Sequence, residues 1–144
     1  MLSYCIAVWG GAAKGDIENL QVIQNRAAQL VLNIRGWRIS RQDLYNSLGW
    51  LTVHQLSAFH RILAVFKIRK SKEPEYLANL LSRDNVRNKI IIPHTSLSLL
   101  KRSFIFDGAE LWNCVPYSIR QIECSRRFKL ELRKWILTNV PRFQ

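Results

Sequence analysis

The sequence predicts an all-α fold, a compact array of about six helices with one long, basic, partly extended connection. Two observations support this class. Apolar residues recur at intervals of three and four through most of the chain, which is the spacing of amphipathic helices. Residues that favour helix ends separate these segments, and the joints between them are short. A length of 144 residues suits one domain, so we treat residues 1–144 as a single helical domain.

The first long helix is predicted to begin at Asp16, a good N-cap, and to end at Gly36 after about five turns. Gln24 and Gln29 fall mainly opposite its apolar residues. We therefore expect the apolar stripe to face the core. The stripe consists of Ile17, Leu20, Ile23, Ala27, Leu30, Val31 and Ile34.

Two further helices follow, each with a start signal. Ser40 begins a short helix that Gly49 ends. Thr52 with Gln55 has the spacing of a capping box at the start of a longer helix. The apolar stripe predicted for the longer helix contains Leu56, Phe59, Ile62, Leu63 and Phe66.

The second half is predicted to hold three more helices and the long connection. Pro74 opens a short helix, another helix runs from Ser103 to about Asn113, and the last begins at Ser125. Between them, three isoleucines before Pro93 indicate extended backbone, because the residue before proline disfavours helix. Residues 83–102 are therefore expected to form an exposed basic connection.

The charge indicates the class of partner. Twenty-two Lys and Arg residues against ten Asp and Glu residues give a net charge of +12. A polyanion relieves the resulting self-repulsion, so RNA or DNA is the first candidate and an anionic membrane surface the second. No apolar run approaches the ~20 residues that span a bilayer. The expected contacts, mainly to phosphate, are Arg83, Arg87, Lys89, Lys101 and Arg102 on the connection, Arg126, Arg127, Lys129, Arg133 and Lys134 on the last helix, and Arg120 before it.

Catalytic and metal chemistry have little support. Cys5, Cys114 and Cys124 are an odd, scattered set, which argues against a disulfide framework or a zinc module and favours the nucleus or cytoplasm over secretion. Asp107 and Glu110 share a helix face, but acids among so many cations favour salt bridges or a cap over a nuclease centre. We expect no enzyme activity, metal or cofactor.

The aromatic residues divide into two groups. Trp112, Phe66 and Phe128 fall in apolar stripes and are expected in the core. Trp50 and Tyr117 fall at joints between helices, as does Trp37, where packing under a loop and stacking on bases remain open. The stretch FDGAELWNCVPYSIR at 106–120 is expected to be a structural corner between helices rather than a site.

Several motifs in order resemble a known protein region. They are YCIAVWGG at 4–11, LQVIQNRAAQLVLNI at 20–34, LGWLTVHQL at 48–56, PEYL at 74–77, LWNCVP at 111–116, SIR at 118–120 and FKLELRKW at 128–135. Together they resemble the region that follows the reverse transcriptase domain in jockey-like non-LTR retrotransposon polyproteins. Cys5 and Val115 depart from the glycine and leucine usual in that family.

The resemblance implies an upstream RNA-directed DNA polymerase, with residues 1–11 as the remnant of its thumb helix. It also implies that the chain is a C-terminal piece. The chain has no Asp-Asp pair, so we expect a non-catalytic accessory region that holds template RNA or target DNA. The alternative is a protein-interaction module that docks on the polymerase domain without touching nucleic acid.

Overall fold

Helices build the protein throughout the part of the chain that the computed structural model describes, which is residues 4–10, 12, 14–34, 40–81, 88–92, 97 and 103–139. This part contains eight helices and no strand, so the predicted all-α class is confirmed. The helices are α1 (Ile6–Trp9), α2 (Lys14–Val31), α3 (Arg41–Leu48), α4 (Val53–Ser71), α5 (Glu75–Leu81), α6 (Phe104–Cys114), α7 (Tyr117–Arg120) and α8 (Ser125–Thr138).

The central element is α4, which contacts α1, α2, α5, α6 and α8. Its start is the predicted capping box: Thr52 accepts from the backbone N–H of Gln55, and the Gln55 side chain accepts from the backbone N–H of Thr52. Because helices pack on several sides of α4, its buried residues extend well beyond one stripe. Even Arg61 is buried, where its guanidinium pairs with Asp107 of α6.

Stacked aromatic rings join α4, α6 and α8 in the main core. The ring centroids of Phe66 and Phe128 lie 4.1 Å apart, and those of Trp112 and Phe128 lie 5.9 Å apart. Leu132 and Ile136 continue this buried face of α8 with no exposed surface. The predicted core positions of Phe66, Trp112 and Phe128 are therefore confirmed.

The orientation predicted for α2 is wrong over most of its apolar stripe. Ile17 is buried, but Ile23, Leu30 and Val31 are 57%, 81% and 62% exposed. The buried face carries glutamines: Gln24 donates to the carbonyl of Leu51 at 2.9 Å, and the Gln21 side chain, on the same face, accepts from the first backbone N–H of α4. Because these amides satisfy backbone groups at the start of α4, the polar side of α2 faces inward.

A smaller cluster joins α2 to α3. Ala28, Leu44 and Tyr45 are buried together. The Tyr45 hydroxyl accepts from Gln21 at 2.6 Å and donates to Asn25 at 2.7 Å. Burial raises the pKa of Tyr45 to about 12, so the phenol keeps the proton that it donates.

The stretch 106–120 holds the segment 88–92 against the helices. Asn113 accepts from the backbone N–H of Ile90 at 2.8 Å and donates to its carbonyl at 2.9 Å. Trp112 and Arg120 both donate to the carbonyl of Asn88, at 3.1 and 2.8 Å. The polar groups of this corner therefore bind backbone, and Ile90 is only 4% exposed.

Candidate nucleic-acid interface

The candidate interface lies along one side of the pair formed by α4 and α8. The two helices run antiparallel, because hydrogen bonds join opposite ends of each. Gln55 near the start of α4 donates to the carbonyl of Ile136 near the end of α8, at 3.3 Å. Lys70 in the last turn of α4 donates to the carbonyl of Glu123, just before α8, at 3.0 Å. This pairing sets lysines of α4 beside the cations of α8.

Five cations occupy this side, which we call the basic ridge. Arg126, Lys129 and Arg133 are spaced three and four residues apart, so they share one side of α8. They are all exposed. Lys67 and Lys70, which are also exposed, lie on α4. Arg126 to Arg133 cover roughly 10 Å of helix length.

The charges of two ridge lysines act on His60. This side chain lies half-buried on α4. Burial is the largest cause of its lowered pKa, and the charges of Lys129 and Lys67 lower the pKa further. Lys129 and Lys67 come from different helices, so the packing has concentrated like charge at one place.

Carboxylates do little to neutralise the ridge. Among the described residues, Lys67, Arg126 and Lys129 have no salt bridge. Arg133 donates to the carbonyl of Gly49 at 2.7 Å, which fixes its position without cancelling its charge. The uncompensated positive charge of such a surface favours binding of an external anion.

The other predicted residues of α8 lie apart from the ridge. Arg127 and Lys134 are seven residues apart, so they share a side of α8 that is turned roughly 120° away from the ridge. Lys134 pairs with Glu131 at 3.0 Å, so its charge is partly balanced. These two cations extend the basic surface of α8 but contribute less to its strongest part.

The remaining predicted residues divide into buried, half-buried and undescribed positions. Arg120 is only 6% exposed, and its donation to the Asn88 carbonyl gives it a structural position inside the protein rather than one at the surface. Lys89 is half-buried. The predictions for Arg83, Arg87, Lys101 and Arg102 lie outside the described residues, as does the one for Trp37.

Sequence reasoning missed Lys67 and Lys70 as candidate site residues. Both belong to the basic end of α4, which a favourable interaction with the helix dipole explains without any partner. The signal that distinguishes them is the antiparallel pairing with α8, which is a tertiary feature. A sequence pattern alone does not report which helix packs beside which.

The described residues show no arrangement of side chains suited to the catalytic alternatives. Asp107, the acid that a nuclease centre would need, pairs with Arg61. Among the described residues, no group of three or more His, Cys, Asp or Glu side chains lies close enough to hold a metal ion. The three cysteines are exposed and free. Within the same residues, no helix has the length and hydropathy to cross a membrane.

A second surface on α1 and α2 is apolar. Tyr4 and Val8 at α1 are 81% and 79% exposed, and on α2 Leu30 is equally open at 81%. Ile23 and Val31 add to this outward face of α2. We call Ile23, Leu30 and Val31 of α2 the apolar face. Exposed apolar side chains grouped on one helix are typical of a docking surface.

Comparisons with protein-family models, with curated proteins and with solved structures found no match to this chain.

Proposed function

We propose that this chain is a non-catalytic nucleic-acid-binding module that holds RNA or DNA through phosphate contacts on the basic ridge. By the resemblance of its motifs, it serves as an accessory region behind the reverse transcriptase domain of a non-LTR retrotransposon. The observation that carries the proposal is the joining of Lys67 and Lys70 of α4 with Arg126, Lys129 and Arg133 of α8 on one side of the molecule.

The chemistry of the ridge favours phosphate backbone over base edges. Lys and Arg side chains neutralise phosphates and release their counterions, which supplies affinity without sequence selection. The aromatic rings that could stack on bases are mostly unavailable: Trp112 and Phe128 are buried beneath the ridge. Tyr117 is about half exposed but belongs to the corner, where its ring lies 5.9 Å from the Arg120 guanidinium.

Neutralising the ridge should weaken binding to single-stranded RNA. The variant Lys67→Gln/Arg126→Gln/Lys129→Gln removes three exposed charges that make no hydrogen bond or salt bridge within the described structure. If each charge meets one phosphate, affinity at low salt should fall by at least about tenfold. Fluorescence anisotropy of a labelled oligouridylate measures the change.

A matched control removes the same charge elsewhere. Arg26, Arg41 and Lys72 are exposed and lie off the ridge, so changing all three to Gln lowers the net charge equally. The control variant should bind RNA more tightly than the ridge variant. Equal losses in the two variants would show that only net charge matters and would overturn the ridge as the interface.

The second candidate function is a protein-interaction module that docks on the polymerase domain. The apolar face favours it, because Leu30 and Ile23 expose side chains that an isolated domain gains nothing by exposing. This function predicts binding to the reverse transcriptase domain that salt barely weakens, since apolar burial rather than counterion release drives it.

The substitution Leu30→Glu tests the second function. It places a charge on the apolar face and should reduce binding to the polymerase domain of the parent element by at least about tenfold. Glu18→Gln is a control on the same helix, because Glu18 is exposed and polar. Unchanged binding by the Leu30→Glu variant in a pull-down with purified polymerase domain would exclude the apolar face as the docking surface.

A further inference from the structure

A cleft of about 410 Å³ opens at the end of the basic ridge. It lies between the last turns of α4, residue 88 and the corner that leads from α6 to α8. Its walls include Arg69 and Lys70 of α4, Arg120 and Gln121 of the corner, and the rings of Phe66 and Trp112. This volume is within the range of small-molecule sites.

The positive groups of the cleft are held in place by backbone carbonyls. Arg69 donates to the carbonyl of Leu81 at 2.5 Å, and its guanidinium lies 5.2 Å from the Trp112 ring centroid. Arg120 donates to the carbonyl of Asn88 at 2.8 Å. At the mouth, Lys70 reaches the carbonyl of Glu123. Arg120 is only 6% exposed, so the exposed Lys70 is the cation of this set best placed to meet an anion, and a side chain held in place does so at little cost in entropy.

The lining also has room and contacts for more than a phosphate. Phe66, Trp112 and Ile122 give the cleft apolar walls, while the amide of Gln121 stands at its exposed edge. Phe66 and Trp112 are buried, so an anion alone would leave mainly the half-buried Ile122 in contact with water. A ligand with one phosphate, an apolar ring face and polar edges matches both parts of the lining.

We propose that this cleft binds a nucleoside monophosphate unit, with its phosphate beside Lys70 and its base against Ile122 and Gln121. The inference rests on the proposed function, because Lys70 belongs both to the ridge and to the cleft. The unit is either the phosphorylated end of a bound strand or a free mononucleotide.

Cys124 provides a reporter for occupancy of the cleft. It directly follows Glu123, which lines the cleft, and forms the N-cap of α8. Its thiol has a lowered pKa, first because the backbone N–H groups of Arg127 and Arg126 at the start of α8 favour the thiolate. Changing Cys5 and Cys114 to Ser leaves Cys124 as the only thiol of the chain.

Uridine 5′-monophosphate should slow the reaction of Cys124 with iodoacetamide by at least about threefold at saturation. Uridine, and sodium chloride at matched ionic strength, should leave the rate nearly unchanged. Equal rates with uridine 5′-monophosphate and uridine up to millimolar concentrations would overturn the inference.

Lys70→Gln should weaken protection by uridine 5′-monophosphate by about tenfold, because it removes a charged donor from the mouth of the cleft. Lys72→Gln is the control, since Lys72 is an exposed lysine near the same helix end but does not line the cleft. Full protection in the Lys70→Gln variant would contradict the assigned position of the phosphate.

Oligouridylates with and without a 5′-phosphate separate the two sources of the ligand. Tighter binding of the phosphorylated strand assigns the cleft to a strand end, whereas equal binding of both with protection by the mononucleotide assigns it to a free nucleotide. If RNA binds in a salt-dependent way but the mononucleotide gives no protection, the cleft inference fails and the proposed function stands. If the mononucleotide protects but RNA does not bind, the proposed function fails alone.

Discussion

At the scale of one residue, Asn113 shows how the LWN motif at 111–113 holds a neighbouring segment of the chain. Its side chain makes both an accepting and a donating hydrogen bond with the backbone of Ile90, a residue that is nearly fully buried. A single amide thus supplies the pairing that a neighbouring strand would otherwise give. This side chain and the burial of Ile90 in the main core together hold the segment 88–92.

Asn113→Ala should therefore destabilise the protein by about 2–3 kcal/mol, because it leaves a buried N–H and a buried carbonyl unpaired. Urea unfolding followed by circular dichroism measures the change, and amide exchange at Ile90 should accelerate in the variant. Cys114→Ala is the control, since Cys114 is exposed on the next position of the same helix. A loss below about 0.5 kcal/mol would contradict the role assigned to Asn113.

Residues of this kind mark what sequence can and cannot predict. The stretch 106–120 was expected to be a structural corner with Trp112 inward, and Trp112 is indeed 2% exposed. The partner of Asn113 was not predicted, because Ile90 lies 23 residues earlier and no local pattern links them. Arg120 was read as a surface cation because a charged residue before a basic helix gives no sign of burial.

At the scale of elements, α2 is where the sequence pattern was most misleading. Apolar periodicity identified the helix but not the side that faces the core, because Gln21 and Gln24 bind backbone groups at the start of α4. In contrast, the capping signals at Ser40, Gly49 and Thr52 predicted both ends of α3 and the start of α4. Caps are local, whereas the choice of buried face depends on the partner.

The reversed orientation of α2 predicts opposite effects for two substitutions. Gln24→Ala removes the bond to the Leu51 carbonyl and should cost about 1–2 kcal/mol. Leu30→Ser alters a residue that is 81% exposed and should change stability by less than about 0.5 kcal/mol. Urea midpoints of the two variants check the order, and a larger loss for Leu30→Ser would restore the orientation predicted from apolar periodicity.

The pairing of α4 with α8 predicts a pH dependence centred on His60. Its pKa is lowered in the folded protein by burial, Lys129 and Lys67, so the unfolded chain binds a proton more readily. This stability is present above the ordinary pKa of 6.5 and is lost as the pH falls through it. The urea midpoint should decrease between about pH 7.5 and pH 5.5, and less so in a His60→Gln variant.

Phosphate bound at the ridge should shift the pKa of His60 in the opposite direction, upward. An anion on the ridge offsets the charges of Lys67 and Lys129, so RNA should raise the pKa of His60 and bind more tightly at lower pH. Binding isotherms at the two pH values, with His60→Gln as the control, measure this linkage. Affinity that weakens on acidification would contradict a phosphate beside His60.

For the whole molecule, composition predicts a class of partner, and packing supplies a candidate surface for it. A net charge of +12 does not by itself show which surface would bind a partner. The fold sets cations of α4 and α8 side by side, and it leaves apolar residues of α2 exposed. The proposed module therefore separates a polar surface for nucleic acid from an apolar surface suited to a protein.

The salt dependence of RNA binding tests the proposed function most directly. Anisotropy titrations of a labelled oligouridylate between about 50 and 300 mM salt give the slope of log affinity against log salt. The wild-type slope should be steep, and the variant Lys67→Gln/Arg126→Gln/Lys129→Gln should reduce its magnitude by roughly two to three, at about one per lost phosphate contact. The control Arg26→Gln/Arg41→Gln/Lys72→Gln should keep the wild-type slope. Absent binding, or a slope that the ridge variant leaves unchanged, would contradict nucleic-acid binding by the basic ridge.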